Sequence, residues 1–199
     1  TNYIKSDGKV HPEVDPLKET GRESYYNPNL QQIPVNALPK DEQGRYRGCF
    51  IPPKGWKWVG ADYSAQEAVI VGVLSGEELW IETFKNGWDL HTMIAELVFE
   101  DKFEEATLPN CVFKEKKIAC KCKMHKYYRN ISKTVTYGLL YGMSPYKLSA
   151  TLGISLIDAE EVFFKYFKNL PKIKVFIEKL RAFGIKHGYS ETPSPYKRR

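Results

Sequence analysis

Arg129, Lys133, Tyr137 and Tyr141 recur at every fourth position. On a helix each such step drifts only about 40° around the axis, so the four side chains form one slowly turning stripe of cations and aromatic rings. That chemistry suits a nucleoside triphosphate: the cations pair with phosphates, and the rings offer a flat apolar surface to base and sugar. Ile131, Val135, Leu139 and Leu140 fall on the opposite side and can pack on a core. Taken alone, basic and aromatic residues at helical spacing more often mark a solvated or half-buried face than a substrate site.

A second group changes that balance. Trp56 to Ala61 alternates in the manner of a strand, with Trp56 and Trp58 on one face and Lys57 and Val59 on the other, and leads into Asp62. Asp62 is therefore predicted at a strand tip, where a carboxylate can hold Mg²⁺, an ion that combines one or two carboxylates with substrate phosphates. Helix signals follow at once. Ser64 can cap an N-terminus and Glu67 completes a capping box ahead of the apolar run Ala68 to Leu74.

Residues 1 to about 48 are punctuated by Pro and Gly and read as short strands and extended connections. Helices are predicted over 66–74, 77–85, 90–99, 127–140, 145–152, 157–168 and 172–186, with Ser155 as a cap ahead of Asp158 and Pro171 as a break. The fold class is mixed α/β (α+β), a partial sheet carrying a mainly helical subdomain.

Asp62-Tyr63-Ser64-Ala65-Gln66-Glu67 resembles motif A, and the series Arg129, Lys133, Tyr137, Tyr141-Gly142 resembles motif B, of the family A (DNA polymerase I-like) DNA polymerases. Thr20-Gly21-Arg22, followed by Asn27-Pro28-Asn29-Leu30-Gln31-Gln32-Ile33-Pro34, resembles the family's minor-groove contact to primer-template, and Asp89-Leu90-His91-Thr92 resembles its fingers histidine. The resemblance implies a partial palm with motif A over residues 1–75, helical fingers with motif B over 76–185, and a return towards the palm over 186–199. It implies a template-directed DNA polymerase of phage or bacterial type that transfers nucleotides from dNTPs to a primer 3′ end with two Mg²⁺ ions. Asp62 would bind metal, with the Tyr63 backbone carbonyl assisting, and would share catalysis with Lys133. Arg129, Lys133 and His91 would hold the triphosphate, Tyr137 would lie against its sugar, and Tyr141 would close the base-pair pocket. Glu67 would crowd the ribose 2′ position, and Arg22, Asn29 and Gln32 would touch DNA.

The chain also departs from the pattern. Ala65-Gln66 stands where the family usually has Gln-Ile, and Asn36 where many members carry an arginine, a phosphate contact either missing here or supplied by Arg45 or Arg47. Tyr137 replaces a common Phe. The family's second carboxylate motif, His-Asp-Glu, does not occur, although two-metal transfer needs carboxylates from two places in a fold. The chain, from Thr1 to Arg199, is therefore expected to be a piece of a longer polymerase, inactive alone, with further domains upstream and downstream.

A net charge of +6, a pI of about 9.0 and 14% aromatic residues suit a polyanionic partner such as DNA. No apolar run is long enough to cross a bilayer and no signal-peptide layout opens the chain, so the expected compartment is the cytoplasm of a bacterial cell or phage-infected host. Cys111, Cys120, Cys122 and His125 lie in a lysine-rich stretch ahead of the motif B helix and offer the Cys₃His set of a structural Zn²⁺ site. Their irregular spacing leaves a reduced basic loop as the alternative. Two other functions are weighed. A single-subunit RNA polymerase would have no use for the carboxylate of Glu67 beside a 2′-hydroxyl, and a non-catalytic nucleic-acid-binding module would not need Asp62, Lys133 and Tyr141 together.

Overall fold

The computed structural model describes residues 3–18, 21–33, 44–192 and 197–198; Thr20, Pro34 and Asn36 lie outside the described residues. The chain divides into two compact units, residues 1–62 with Arg198, and 63–197 with Arg199.

In the first unit β1 (Glu13–Asp15) and β2 (Ser24–Tyr26) pair antiparallel, with Val14 opposite Tyr25. A 3₁₀ turn at Leu30–Gln32 and the short α1 (Arg45–Gly48) follow. The strand expected over Trp56 to Ala61 is not formed. A strand's N–H and C=O groups need a lateral partner, and no strand among the described residues runs beside this segment, whose Trp56 and Trp58 are each 73% exposed.

The second unit is helical: α2 (Gln66–Ser75), α3 (Glu78–Lys85), α4 (Leu90–Glu105), α5 (Val112–Lys116), α6 (Lys123–Leu140), α7 (Pro145–Leu152), α8 (Leu156–Asn169) and α9 (Pro171–His187). The short strands β3 (Ser190–Glu191) and β4 (Lys197–Arg198) pair with each other. The class is thus the mixed one expected, with helix dominant and the sheets reduced to two-stranded pieces.

Several boundaries move for identifiable reasons. α4 continues past 99 to Glu105, but only across a break at Glu100, where φ is 43°. α6 starts at Lys123, earlier than the predicted 127. Ser155 caps α8 as expected, accepting from the Asp158 N–H at 3.0 Å. Ser64 does not cap α2: Ala65 takes the N-cap position in a left-handed conformation, φ 50°, and no side chain caps the helix.

The core joins Leu90, Ile94 and Val98 of α4 to Ile131, Val135 and Leu139 of α6, with Val162 and Tyr166 of α8 and Ile173 of α9. A neighbouring cluster gathers Met93, Phe103, Phe113, Cys111 and Cys122. The start of α9 is tied to the α2–α3 junction, because the buried carboxylate of Glu77 accepts from the Lys172 N–H at 3.1 Å. An anion there meets the unpaired N–H groups of a helix N-terminus.

Candidate functional site

α6 carries the predicted stripe. Burial of Ile131, Val135 and Leu139 fixes the rotation of the helix, which leaves Lys133 exposed and Arg129 and Tyr137 half-buried. Leu140 is only half-buried. Beyond Leu140 the chain turns through Gly142, φ 77°, into α7, whose cap Ser144 accepts from the Lys147 N–H at 3.3 Å. A cleft of about 420 Å³ lies over Lys133, Thr134, Tyr137, Gly138, Tyr141, Gly142, Met143 and Lys147. Met143 packs closely over Gly138, where a Cβ would stand 2.6 Å from the Met143 Sδ and would require that side chain to shift. Lys147 was not foreseen as a site residue; its only sequence signal is a basic residue just past a Gly-containing turn. The cleft therefore combines two ammonium groups with two phenol rings.

Arg129 has a protein partner. Its Nε donates to Oδ1 of Asp89 at 2.9 Å and its Nη2 to Oδ2 at 2.8 Å, a bidentate pair. Asp89 is also the N-cap of α4, accepting from the Thr92 N–H at 2.8 Å and the Thr92 hydroxyl at 2.6 Å. Burial alone would raise the Asp89 carboxyl, but Arg129 and Thr92 hold it below the usual carboxylate range. The same contact raises Arg129 above its ordinary value.

His91, one residue into α4, is buried, and its ring lies 5.6 Å from that of Tyr137. Burial pulls its pKa down to about 4; Asp89 opposes that shift, while Arg129 and Lys133 add to it. A neutral imidazole can give a hydrogen bond to a phosphate but not a full charge. Tyr137 is raised by burial and then by the charge of Glu67. Glu67, expected at the ribose 2′ position, and Tyr141, expected to close the base-pair pocket, meet directly: the Tyr141 hydroxyl donates to Oε1 of Glu67 at 2.7 Å. This contact joins the first turn of α2 to the end of α6.

Asp62 is exposed at the end of the first unit, and Tyr63 is exposed where the second begins. A hard carboxylate and a backbone carbonyl fit the all-oxygen preference of Mg²⁺. Among the described residues Asp62 joins no cluster of three or more metal-binding side chains. In the first unit Arg22 and Gln32 are exposed, whereas the side chain of Asn29 accepts from the Gln31 N–H at 3.0 Å and caps the 3₁₀ turn.

Cys111, Cys120, Cys122 and His125 do converge, with their ligand atoms all within 4.8 Å of one another, and this Cys/His set can hold a metal ion. Burial pushes the Cys120 thiol up to about 12. Cys122 is also desolvated, yet hydrogen bonds from the Leu108 backbone and the neighbouring thiols hold it below its ordinary value.

The chain matches the model of DNA polymerase family A over residues 1–199. It is 35% identical over 199 residues to DNA polymerase I of Lactococcus lactis subsp. lactis, which covers 98% of this chain and 20% of that protein. It is 37% identical over 186 residues to the thermostable DNA polymerase I of Thermus aquaticus, covering 93% of this chain and 20% of that one. A solved structure, the POL domain of Pol1 from M. smegmatis in complex with DNA primer-template and dNTP, superposes with a TM-score of 0.77 at 30% identity and covers 99% of this chain and 31% of that chain. The chain thus spans about a fifth of the length of the curated relatives it matches.

Proposed function

Because this chain belongs to DNA polymerase family A, we propose that it is the part of a template-directed DNA polymerase that receives the incoming dNTP and presents it to a primer 3′ end. The observation that carries this reading is the cleft where Lys133 and Lys147 stand beside Tyr137 and Tyr141 on the exposed side of α6. The ammonium groups pair with the triphosphate and the rings lie against sugar and base. Neutral His91 supports the Tyr137 ring and offers a hydrogen bond rather than a charge. Arg129 orients α4 against α6 through Asp89, and its remaining N–H groups can still reach a phosphate. Glu67, held by Tyr141, places a carboxylate where a ribose 2′-hydroxyl would come, which favours deoxynucleotides.

Asp62 and the Tyr63 carbonyl are assigned to Mg²⁺, which when bound would polarise phosphoryl oxygens and lower the pKa of the attacking hydroxyl. Primer-template contact is assigned to Arg22, Asn29 and Gln32, within a longer polymerase acting in the cytoplasm. The Cys111, Cys120, Cys122 and His125 set does not line that cleft.

The reading is tested by Lys133→Ala in the full-length polymerase. Loss of one charge-assisted phosphate contact, about 1.5–3 kcal/mol, should lower kcat/KM for dNTP about 10- to 150-fold while leaving primer-template affinity unchanged. An unchanged kcat/KM would remove the cleft from nucleotide binding.

A further inference from the structure

The sulfur and imidazole donors lie apart in the sequence and together in space. Cys111 precedes α5, Cys120 and Cys122 lead into α6, and His125 sits in the first turn of α6. The Sγ atoms of Cys111 and Cys120 stand 3.5 and 3.2 Å from Nδ1 of His125. A tetrahedral zinc ion, with Zn–S near 2.3 Å and Zn–N near 2.0 Å, separates its ligand atoms by about 3.5–3.8 Å. The set therefore matches a zinc tetrahedron to within side-chain adjustments.

The surroundings point the same way. Nε2 of His125 lies 2.8 Å from the Phe103 carbonyl and 3.1 Å from Oγ1 of Thr107. With the ring proton placed there, the lone pair of Nδ1 is turned towards the thiols, which is how a metal-binding histidine is held by its second partner. The Phe103 ring stacks on the imidazole at 3.8 Å and 6°, and His125, Cys111 and Cys122 are buried. A single buried cysteine is an ordinary small hydrophobe. Three converging on an imidazole whose other nitrogen already has a carbonyl partner form a soft donor set that suits zinc and not Mg²⁺ or Ca²⁺.

The same segment reaches the Asp89–Arg129 pair. The carbonyl of Lys117, between Cys111 and Cys120, accepts from the Asp89 N–H at 2.8 Å. Asp89 in turn holds Arg129, one turn beyond His125 on α6. Both flanks of Asp89 are thus tied to the donor set, one through the backbone at Lys117 and one through α6.

We propose that Cys111, Cys120, Cys122 and His125 bind one structural zinc ion, and that this ion clasps the α5 segment to α6 and so holds Asp89 and Arg129 in place. The consequence for nucleotide binding rests on the function proposed above; the ion and the clasp do not.

The protein purified without added metal should contain about one zinc per chain. Replacement by Co²⁺ should give the intense visible bands and thiolate-to-metal charge transfer of a tetrahedral sulfur site, and Cys120→Ser should lose both the zinc and the charge transfer. Thr107→Val keeps every ligand and should weaken zinc affinity about 10- to 100-fold. On chelation, hydrogen exchange at the Asp89 amide should quicken at least about tenfold, while the Leu170 amide, bonded to the Tyr166 carbonyl at 3.0 Å, keeps its rate. Zinc far below one per chain together with absent cobalt charge transfer would overturn the site. Full zinc content with unaltered exchange at Asp89 after chelation would overturn the clasp. Neither result bears on the cleft itself, which Lys133→Ala tests separately.

Discussion

A histidine beside a triphosphate is usually credited with positive charge, but His91 sits where charge is expensive. Its ring is buried, faces Tyr137, and has two cations, Arg129 and Lys133, opposing protonation against one carboxylate, Asp89. The folded-state pKa of about 4 lies below the ordinary histidine value of 6.5, so between these values the unfolded chain binds more protons than the folded one. Stability conferred by neutral His91 is therefore complete above about pH 6.5 and is lost as pH falls towards 4, by up to about 3 kcal/mol. His91→Gln, which cannot take up that proton, should flatten the acid limb of a plot of unfolding free energy against pH. Urea titrations at pH 7 and pH 4.5 decide this, and equal pH slopes for the two proteins would show that His91 is not the group responsible. If the cleft receives a triphosphate as proposed, the same neutrality would leave the cationic work to Arg129, Lys133 and Lys147, with His91 against the ring of Tyr137.

Among the elements, α4 and α6 are held in register by one residue with two duties. Asp89 ends the left-over N–H groups of α4 as its cap and forms the bidentate pair with Arg129 on α6. Asparagine caps a helix about as well as aspartate, so Asp89→Asn should remove the ion pair alone, at a cost of about 1–2 kcal/mol, and Asp89→Ala should cost about 1 kcal/mol more. Equal losses in denaturant midpoints for the two variants would mean that the cap contributes nothing, and no loss for Asp89→Asn would mean that the pair contributes nothing. This pairing was not readable in the sequence, because Asp89 and Arg129 lie on different helices and no periodicity links them. What was readable followed from local repetition: the α6 stripe, the helices on either side of Pro171, and the Ser155 cap each depend on residues within a turn or two. The strand at Trp56 to Ala61 failed for the opposite reason, since alternation describes a strand's faces but cannot supply its neighbour. The Ser64 cap failed because Ala65 takes a left-handed turn first. The Cys/His set could be named from residue types alone, while its convergence depended on how α5 folds back on α4 through Phe103 and Phe113.

For the whole molecule, an excess of positive charge and one exposed carboxylate at the boundary of the two units pull in different directions. A net charge of +6 favours a polyanionic partner, and an acidic side chain brought next to DNA and triphosphate would be unfavourable unless a divalent cation intervened. Asp62 is exposed, so its removal costs the fold little, within the usual range of surface substitutions. The Mg²⁺ role proposed for it then makes a separate prediction. In the full-length polymerase Asp62→Asn should keep the side chain's size and leave the thermal midpoint unchanged. Primer-template affinity and its salt dependence, which count phosphate contacts by cations, should also be preserved or slightly strengthened. Primer extension, by contrast, should fall about 10²- to 10⁴-fold, the scale of losing metal stabilisation of the developing charge. Raising Mg²⁺ should recover only a small part of it, because the amide oxygen is a poorer ligand than the carboxylate. Extension at the unmodified rate would show that the metals are held elsewhere and that Asp62 is an ordinary surface acid. A loss of DNA binding equal to the loss of extension would instead place Asp62 in the fold's support of its substrate rather than in the transfer.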